Sequence, residues 1–370
     1  MSATLLVGGY GPDMGGSARG VSRIRIDERG ALALDGLVLE MPSPSWLALG
    51  ELGRSGSSTS APDAPDVALA PLYAALEHAD AVATAVAPSS TADGAPARLV
   101  ARTATGSAAP CHLSVADDAV WVASYTGGTA SRHRLENGMA TTYDLVVAFD
   151  GSGPRPEQDA AHAHTTLGFA DDSRLIADLG SDRVVRIADA GEELDALAFP
   201  PGTGPRDLLP LHDGTVLVLG ELDGTAHRIQ IAPALALLES VALPGAVEGD
   251  HAAGLALDRR SGVVHVGLRG SNRIARVRVA VAETEADRPR GRARLTALDS
   301  IPSTGDWPRH LLVVDDLLLV ADQLSSSVSA YALDPTGHAA PTPRGSIAVP
   351  SPTHLLRVDD TPWATVATRP

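Results

Sequence analysis

One pattern returns seven times along this chain: a cluster of Pro, Gly, Ser or His, an apolar stretch, a polar turn, a second apolar run and then one or two polar residues. The anchors are PSPSWLAL from Pro42, APCHLSV from Ala109, HAHTTLGF from His162, GPRDLLPL from Gly204, DHAAGLAL from Asp250, DWPRHLLVV from Asp306 and SPTHLLRV from Ser351. Counted from Trp46, Cys111, Ala163, Arg206, Ala252, Arg309 and Thr353, the steps are roughly 65, 52, 43, 46, 57 and 44 residues. Propeller repeats run at about 40–50 residues, and loop insertions account for the longer steps. A four-stranded meander cannot bury both of its faces alone, so blades stack round an axis and each covers the next. The repeat predicts an all-β, seven-bladed β-propeller of four-stranded antiparallel blades.

The strands are readable within the repeats. In the third, TTLGF is followed by the turn ADDS and the runs RLIADLG and RVVRIAD; in the fourth, DLLPL leads through HDG to TVLVLGEL and AHRIQIA. Short runs of Val, Ile and Leu bounded by Asp-Gly, Asp-Asp and Ser-Asp pairs read as antiparallel strands joined by tight turns. No stretch sustains a 3.6-residue apolar period, so helix is minor. Because every blade depends on its neighbour and no boundary linker interrupts the pattern, residues 1–370 read as one propeller domain. The segments GRSGSSTSAPDAPD from Gly53, PSSTADGAPA from Pro88 and AETEADRPRGRA from Ala282 read as loops between strands. The terminal runs ATLLVGGY and PWATVAT are expected to pair in one blade, closing the ring and removing a sheet edge.

Composition bounds the partners. The single Cys111 forms no internal disulfide, Met1 is followed by no basic region and apolar core of signal-peptide type, and no apolar run approaches a membrane span. A soluble cytoplasmic protein is the expectation. With 29 Lys and Arg against 45 Asp and Glu, the net charge of −16 repels nucleic acid and anionic membrane surfaces. An aromatic content of 3% speaks against a platform that stacks bases or sugar rings. A propeller completes its own core, so a monomer is the default.

Chemistry concentrates in the anchors and strand ends, which a propeller places near its channel mouth. His162 and His164 alternate with Ala163, so on a strand both imidazoles would share a face. Arg206 follows Gly204 and Pro205, Glu221 ends the apolar run TVLVLGE, and Arg269 ends VVHVGLR. Arg309 and His310 follow Trp307 and Pro308, His354 follows Pro352, and His112 adds an imidazole in the second anchor. An imidazole, a carboxylate and two guanidinium groups form an acid–base and anion-binding kit in His164, Glu221, Arg206 and Arg269. His112, His310 and His354 equally suit bonds that hold neighbouring blades together, and Asp178, Asp182 and Asp322 suit turns. The Gly-rich stretch near Gly8 precedes no helix pattern, and no Gly-x-Ser-x-Gly elbow is present.

Five marks in order, PCHLSV with VASYTGG, HAHTT with LIADLGSDRVVRI, GPRDLLPL with VLGEL, VGLRGSNRIARVRV, and WPRHLLV with LVADQLSSSVSAYALD, resemble the seven-bladed propeller lactonases. That family includes one bacterial type of 6-phosphogluconolactonase and the fungal carboxy-muconate lactonizing enzymes. Two departures stand out: the first repeat carries LYAALEHAD where the family has an aromatic-Val-Asn-Glu strand end, and GPRD replaces GPRH, leaving Asp207 where a histidine usually stands. The resemblance implies a lactonase acting on a sugar-acid lactone that bears a phosphate or carboxylate. It carries the family's proposed catalytic residues onto His162, His164, Arg206, Glu221 and Arg269; we expect catalytic roles for His164, Glu221, Arg206 and Arg269, with His162 and, from their place at the channel mouth, His112, Arg309, His310 and His354 at the substrate. No cofactor or metal is required. His164 or Glu221 would serve as base on water, and Arg206 and Arg269 would hold the oxyanion and the substrate's anionic group. Three other readings stay open: a muconate-type lactonizing enzyme, a metal-dependent lactonase or lyase in which the His-x-His pair and Glu221 are ligands, and a propeller that only binds.

Overall fold

The computed structural model describes residues 2–50, 70–88, 96–280 and 294–369. The loops from Gly53 and Ala282, and most of that from Pro88, lie outside the described residues. The described residues form twenty-eight strands, β1–β28, in seven antiparallel sheets of four. The innermost strand of each sheet is the one that carries a sequence anchor: β4 (Pro44–Leu49), β8 (Pro110–Val115), β12 (Ala163–Gly168), β16 (Pro205–Pro210), β20 (His251–Asp258), β24 (Pro308–Val314) and β28 (Pro352–Arg357). Each packs against the next, and β28 returns to β4, so the ring is complete.

Why the second strands are so apolar follows from this stacking. β9 (Ala119–Ser124), β13 (Arg174–Asp178), β17 (Val216–Gly220) and β25 (Leu317–Asp322) are buried at every residue. A strand covered on both faces by neighbouring blades reads as a continuous apolar run. The cores lie between blades: Leu217 and Leu219 pack with Val264, Val266 and Leu268 of the adjacent sheet. Each such side chain contributes about 1.5–3 kcal/mol on burial. The outermost strands, such as β15 (Glu193–Ala198), face water and carry charge, which protects the exposed edge.

Ring closure occurs, with a different partner from the expected one. β1 (Ala3–Gly9) pairs antiparallel with β28, the strand of the seventh anchor, matching Leu6 with Leu356 and Val7 with Leu355. The run PWATVAT instead forms a single 3-10 turn, Pro362–Ala364, and an isolated bridge of Ala367 with Pro96, and Arg369 just after it bridges Leu37. Pro362 suits the first position of a helical turn and offers no N–H to a sheet ladder.

Every inner strand bulges at one residue. The pairing with the second strand skips Ser45, Cys111, His164, Arg206, Gly254, Arg309 and Thr353, one per blade. In five blades the bulge follows a proline, and the residue before that proline has a positive φ: Ser43, Ala109, Gly204, Trp307 and Ser351. These are the Ser-Pro, Ala-Pro, Gly-Pro and Trp-Pro pairs of the anchors, and proline keeps its predecessor out of the right-handed helical region. Bulges re-aim side chains, and these aim theirs into the channel.

Candidate active site

A cavity at the ring's centre is lined by the seven bulged residues, Ser45, Cys111, His164, Arg206, Gly254, Arg309 and Thr353, and by four that follow a bulge, Trp46, Thr165, Asp207 and His310. At a bulge, successive residues no longer alternate, so bulge and follower both reach the channel. His164 is 8% exposed and its Nδ1 has no hydrogen-bond partner among the described residues. Burial, with Arg206 beside it, holds this imidazole well below its ordinary pKa, so it is neutral. Cys111 is buried among the carbonyls of Ala123, Ala163 and His164, and burial pushes its thiol up.

The approach to Arg206 is built for it. Asp182 accepts from the N–H groups of Gly202 at 2.8 Å and Gly204 at 2.7 Å. Gly204 has φ +61°, and a Cβ there would meet Leu222 at 2.7 Å, so glycine is required. Arg206 pairs with Glu221 Oε2, while Glu221 Oε1 accepts from Arg269 Nη2 at 2.6 Å and lies 3.0 Å from His251 Nδ1. Burial raises the Glu221 carboxyl, but the two guanidinium groups and His251 outweigh it and hold the group well below the usual carboxylate range. Burial brings Arg269 down to about 9. Its guanidinium lies 5.5 Å from the Trp307 ring, and Trp307 holds φ +66° with its N–H donated to Asn272 at 2.9 Å. A bulky residue in this region is a strained one.

In six of the seven blades the residue after the second strand recurs as a ring position: Tyr10, Glu77, Tyr125, Leu179, Glu221 and Gln323. Arg309 reaches two of these, donating to Tyr10 Oη at 2.7 Å and Gln323 Oε1 at 3.1 Å. Tyr10 donates in turn to Glu77 at 2.8 Å, and Arg309 covers the Tyr10 ring at 4.6 Å. Tyr10, Glu77, Gln323 and His251 were not singled out in the sequence. Glu77 could have been, since it ends LYAAL as Glu221 ends VLVLG.

The structure brings His164, Arg206, Glu221, Arg269 and Arg309 together. It separates His162, which precedes β12 and does not share a face with His164, because the bulge at His164 breaks the alternation. The His162 ring stacks on Tyr125 at 4.3 Å, and its nitrogens lie 2.9 Å from Tyr125 O and 2.9 Å from Asp159 Oδ1. The two imidazoles therefore form no ligand pair, and among the described residues no three His, Cys, Asp or Glu side chains are grouped to hold a metal.

His112, His310 and His354 surround Trp46, their ring centroids 4.3, 5.4 and 4.0 Å from its own. Each Nδ1 accepts a backbone N–H from the next inner strand: Thr166 for His112 at 3.4 Å, Leu355 for His310 at 3.3 Å and Leu47 for His354 at 3.4 Å. Burial, with Arg174 and Arg309 respectively, takes His112 and His310 down to about 3, and burial takes His354 well below its ordinary value. These three are ties between blades. Asp207 occupies the equivalent position, and its Oδ2 accepts the Leu255 N–H at 3.1 Å.

The seven-bladed β-propeller lactonase model matches residues 4–357. The chain belongs to this lactonase family. An uncharacterised Lactococcus lactis protein, YwcC, is 25% identical over 257 residues, 65% of this chain and 72% of that one. Among solved structures, a Lactobacillus plantarum protein is 26% identical with a TM-score of 0.79, covering 97% of this chain and all 100% of the other. A Bacteroides fragilis protein named as a candidate 6-phosphogluconolactonase is 22% identical with a TM-score of 0.79, covering 97% and 98%. The Pseudomonas aeruginosa periplasmic gluconolactonase PpgL is 22% identical with a TM-score of 0.76, covering 97% and 99%. For the last two the likeness is one of fold.

Proposed function

We propose that this member of the lactonase family hydrolyses a sugar-acid lactone carrying a phosphate or carboxylate, of the 6-phosphogluconolactone type. The observation that carries the reading is that Arg206 and Arg309 line a cavity with the neutral imidazole of His164, while buried Arg269 joins Arg206 on Glu221 beside it. Among the described residues Arg206 and Arg269 share the single carboxylate of Glu221, so the guanidinium groups at that point outnumber their acidic partner. An anionic substrate is drawn to such a spot. The names of the Bacteroides and Pseudomonas neighbours favour a gluconolactone.

Lactone opening needs an activated water, donors for the carbonyl oxygen as it becomes an oxyanion, and a proton for the departing ring oxygen. Glu221 suits the base role poorly, since both of its oxygens are engaged by cations and it stays a carboxylate. Its part is to fix Arg206 and Arg269. His164 is neutral and its buried Nδ1 has no hydrogen-bond partner among the described residues; it takes the water's proton and returns it to the ring oxygen. Arg206 and Arg269 stabilise the oxyanion, and Arg309 meets the anionic tail.

The test is turnover of 6-phosphogluconolactone by the purified protein, with and without EDTA, corrected for spontaneous opening. Turnover that resists EDTA and falls at least about 10²-fold in a folded His164→Ala variant supports the reading. No turnover above background, or full activity in His164→Ala, overturns it.

A further inference from the structure

Asp207 is unlike the other residues that follow a bulge. In the other blades the position holds Trp46, His112, Thr165, Leu255, His310 and His354. The three imidazoles each meet one neighbouring N–H with one nitrogen. Asp207 does the same with Oδ2 toward Leu255, and its Oδ1 accepts its own blade's Leu208 N–H at 2.9 Å. A carboxylate has about four lone-pair sites, so two remain after the tie is made. It forms no ion pair among the described residues, Arg206 next to it being committed to Glu221. Burial raises its carboxyl above the ordinary value, against the pull of the Leu208 and Leu255 N–H groups and Arg206.

The second observation comes from the neighbouring blade. His164 lines the same cavity, is more than nine-tenths buried and has no hydrogen-bond partner for Nδ1 among the described residues. A buried polar atom left without a partner costs about 1–3 kcal/mol, and water commonly fills such a role where two or more polar groups converge. The other titratable or charged groups around the cavity are Arg206 on Asp207's own strand and Cys111, Arg309 and His310 from the other inner strands. β20, packed on the far side, presents Gly254 and Leu255 there.

We propose that Asp207 is a catalytic residue: with His164 it holds the attacking water, accepting one O–H while His164 Nδ1 accepts the other. This rests on the lactonase reading of the site. As the water oxygen bonds to the acyl carbon, its proton passes to Nδ1 and the carbonyl electrons pass to the oxyanion beside the guanidinium groups. The Asp207 carboxylate, on the next blade's inner strand and lining the same cavity, offsets the imidazolium charge, which lets an imidazole of low basicity act as base. When the oxyanion collapses, the acyl–oxygen bond breaks, and the ring oxygen takes the proton from His164. Lactone and water give the hydroxy acid, with both side chains restored.

Two variants and one structure test this. Asp207→Asn keeps the shape but not the charge; kcat is expected to fall about 10²-fold, and the acid limb of the kcat/KM profile set by Asp207 is expected to disappear. Asp207→His recreates the tie made by His112, His310 and His354, and is expected to keep the melting temperature without recovering kcat. A high-resolution crystal structure of the unmodified protein is expected to show a water within hydrogen-bond distance of both Asp207 and His164 Nδ1. The proposal is overturned by an unchanged pH profile and kcat in Asp207→Asn, by full activity in Asp207→His, or by a crystal structure without that water. If the water is present and the protein turns over no lactone, the lactonase reading fails and the water site stands. If lactone is turned over with Asp207→Asn unimpaired, the reading stands and the role of Asp207 falls.

Discussion

Glu221 accepts from Arg269 Nη2 at 2.6 Å across the boundary between two blades, while its other oxygen engages Arg206 within its own. All three side chains are nearly excluded from water. Removing one partner of a buried charge group leaves the others uncompensated, at about 3–5 kcal/mol. Glu221→Gln is expected to lower the unfolding free energy by that amount at pH 7, read from urea titrations. The folded pKa of Glu221 is depressed, so its contribution is present above about pH 4.3 and is lost as pH falls through the folded value. The difference between the two proteins should therefore be flat from pH 8 to 5 and shrink below about pH 4. A difference that grows on acidification would contradict the ion-pair assignment.

Tyr10 stands between Arg309 and Glu77 as acceptor for one and donor to the other. Tyr10→Phe removes both bonds and keeps the ring under the guanidinium. Hydrogen bonds to charged groups are worth about 1.5–3 kcal/mol, so KM for an anionic lactone is expected to rise by about 10-fold or more, each factor of ten corresponding to about 1.4 kcal/mol. With Arg309 on the substrate's tail, kcat should hold within a few-fold. A fall in kcat at constant KM would place Arg309 at the reacting carbonyl instead.

His112 and His354 are buried and His310 is half-buried, and all three are neutral and committed to backbone N–H groups through Nδ1. Each gains a proton near pH 6.5 when the chain unfolds, yet His112 and His310 resist protonation until about pH 3 in the folded ring. Between these limits the unfolded state binds more protons, so stability falls as pH falls. The slope is about 1.4 kcal/mol per pH unit for each imidazole. Acid destabilisation is expected to begin near pH 6, before the carboxylates titrate, and Trp46 emission should report it because the ring contacts all three. A melting temperature that stays level down to pH 4.5 would refute this.

The ring of blades was legible because stacking demands a recurring apolar strand, and the anchors fell on the inner strands. What periodicity misread was local. A period of two places His162 beside His164, but one bulged residue shifts the face, and a bulge leaves no mark in an apolar–polar pattern. The Pro following a left-handed residue marks five of the seven bulges, Pro44, Pro110, Pro205, Pro308 and Pro352, and only comparison between repeats gives that signal meaning. Tyr10 and Glu77 were hidden for another reason. Tyr10 belongs to the blade closed by the two ends of the chain, and its partner Arg309 lies 299 residues away. The terminal run PWATVAT had the composition of a strand, but the seventh anchor already filled the place beside β1.

That terminal run has its own task. Trp363 is fully buried in a cluster with Leu6 and Val21 of the closing blade and Leu47, Leu72 and Leu76 of the next. Its Nε1 donates to Ala70 O at 2.8 Å. The carbonyls of Val366 and Trp363 accept from Arg23 Nη1 at 2.6 and 3.3 Å, and Arg23 also pairs with Asp35. The segment thus straps the blade that joins the two ends of the chain to the blade beside it, at the seam where closure depends on strand pairing between distant residues. Replacing a buried Trp by Ala costs about 3–5 kcal/mol through lost transfer energy and the cavity left behind. Trp363→Ala is expected to lower the urea midpoint by that equivalent. Trp363→Phe keeps most of the packing and loses the bond to Ala70, for about 1 kcal/mol. If the seam is the weak point of the ring, amide exchange in Trp363→Ala should accelerate first in β1 and β28 and leave β17 protected. Uniform acceleration through all seven blades would mean that the ring opens only as a whole.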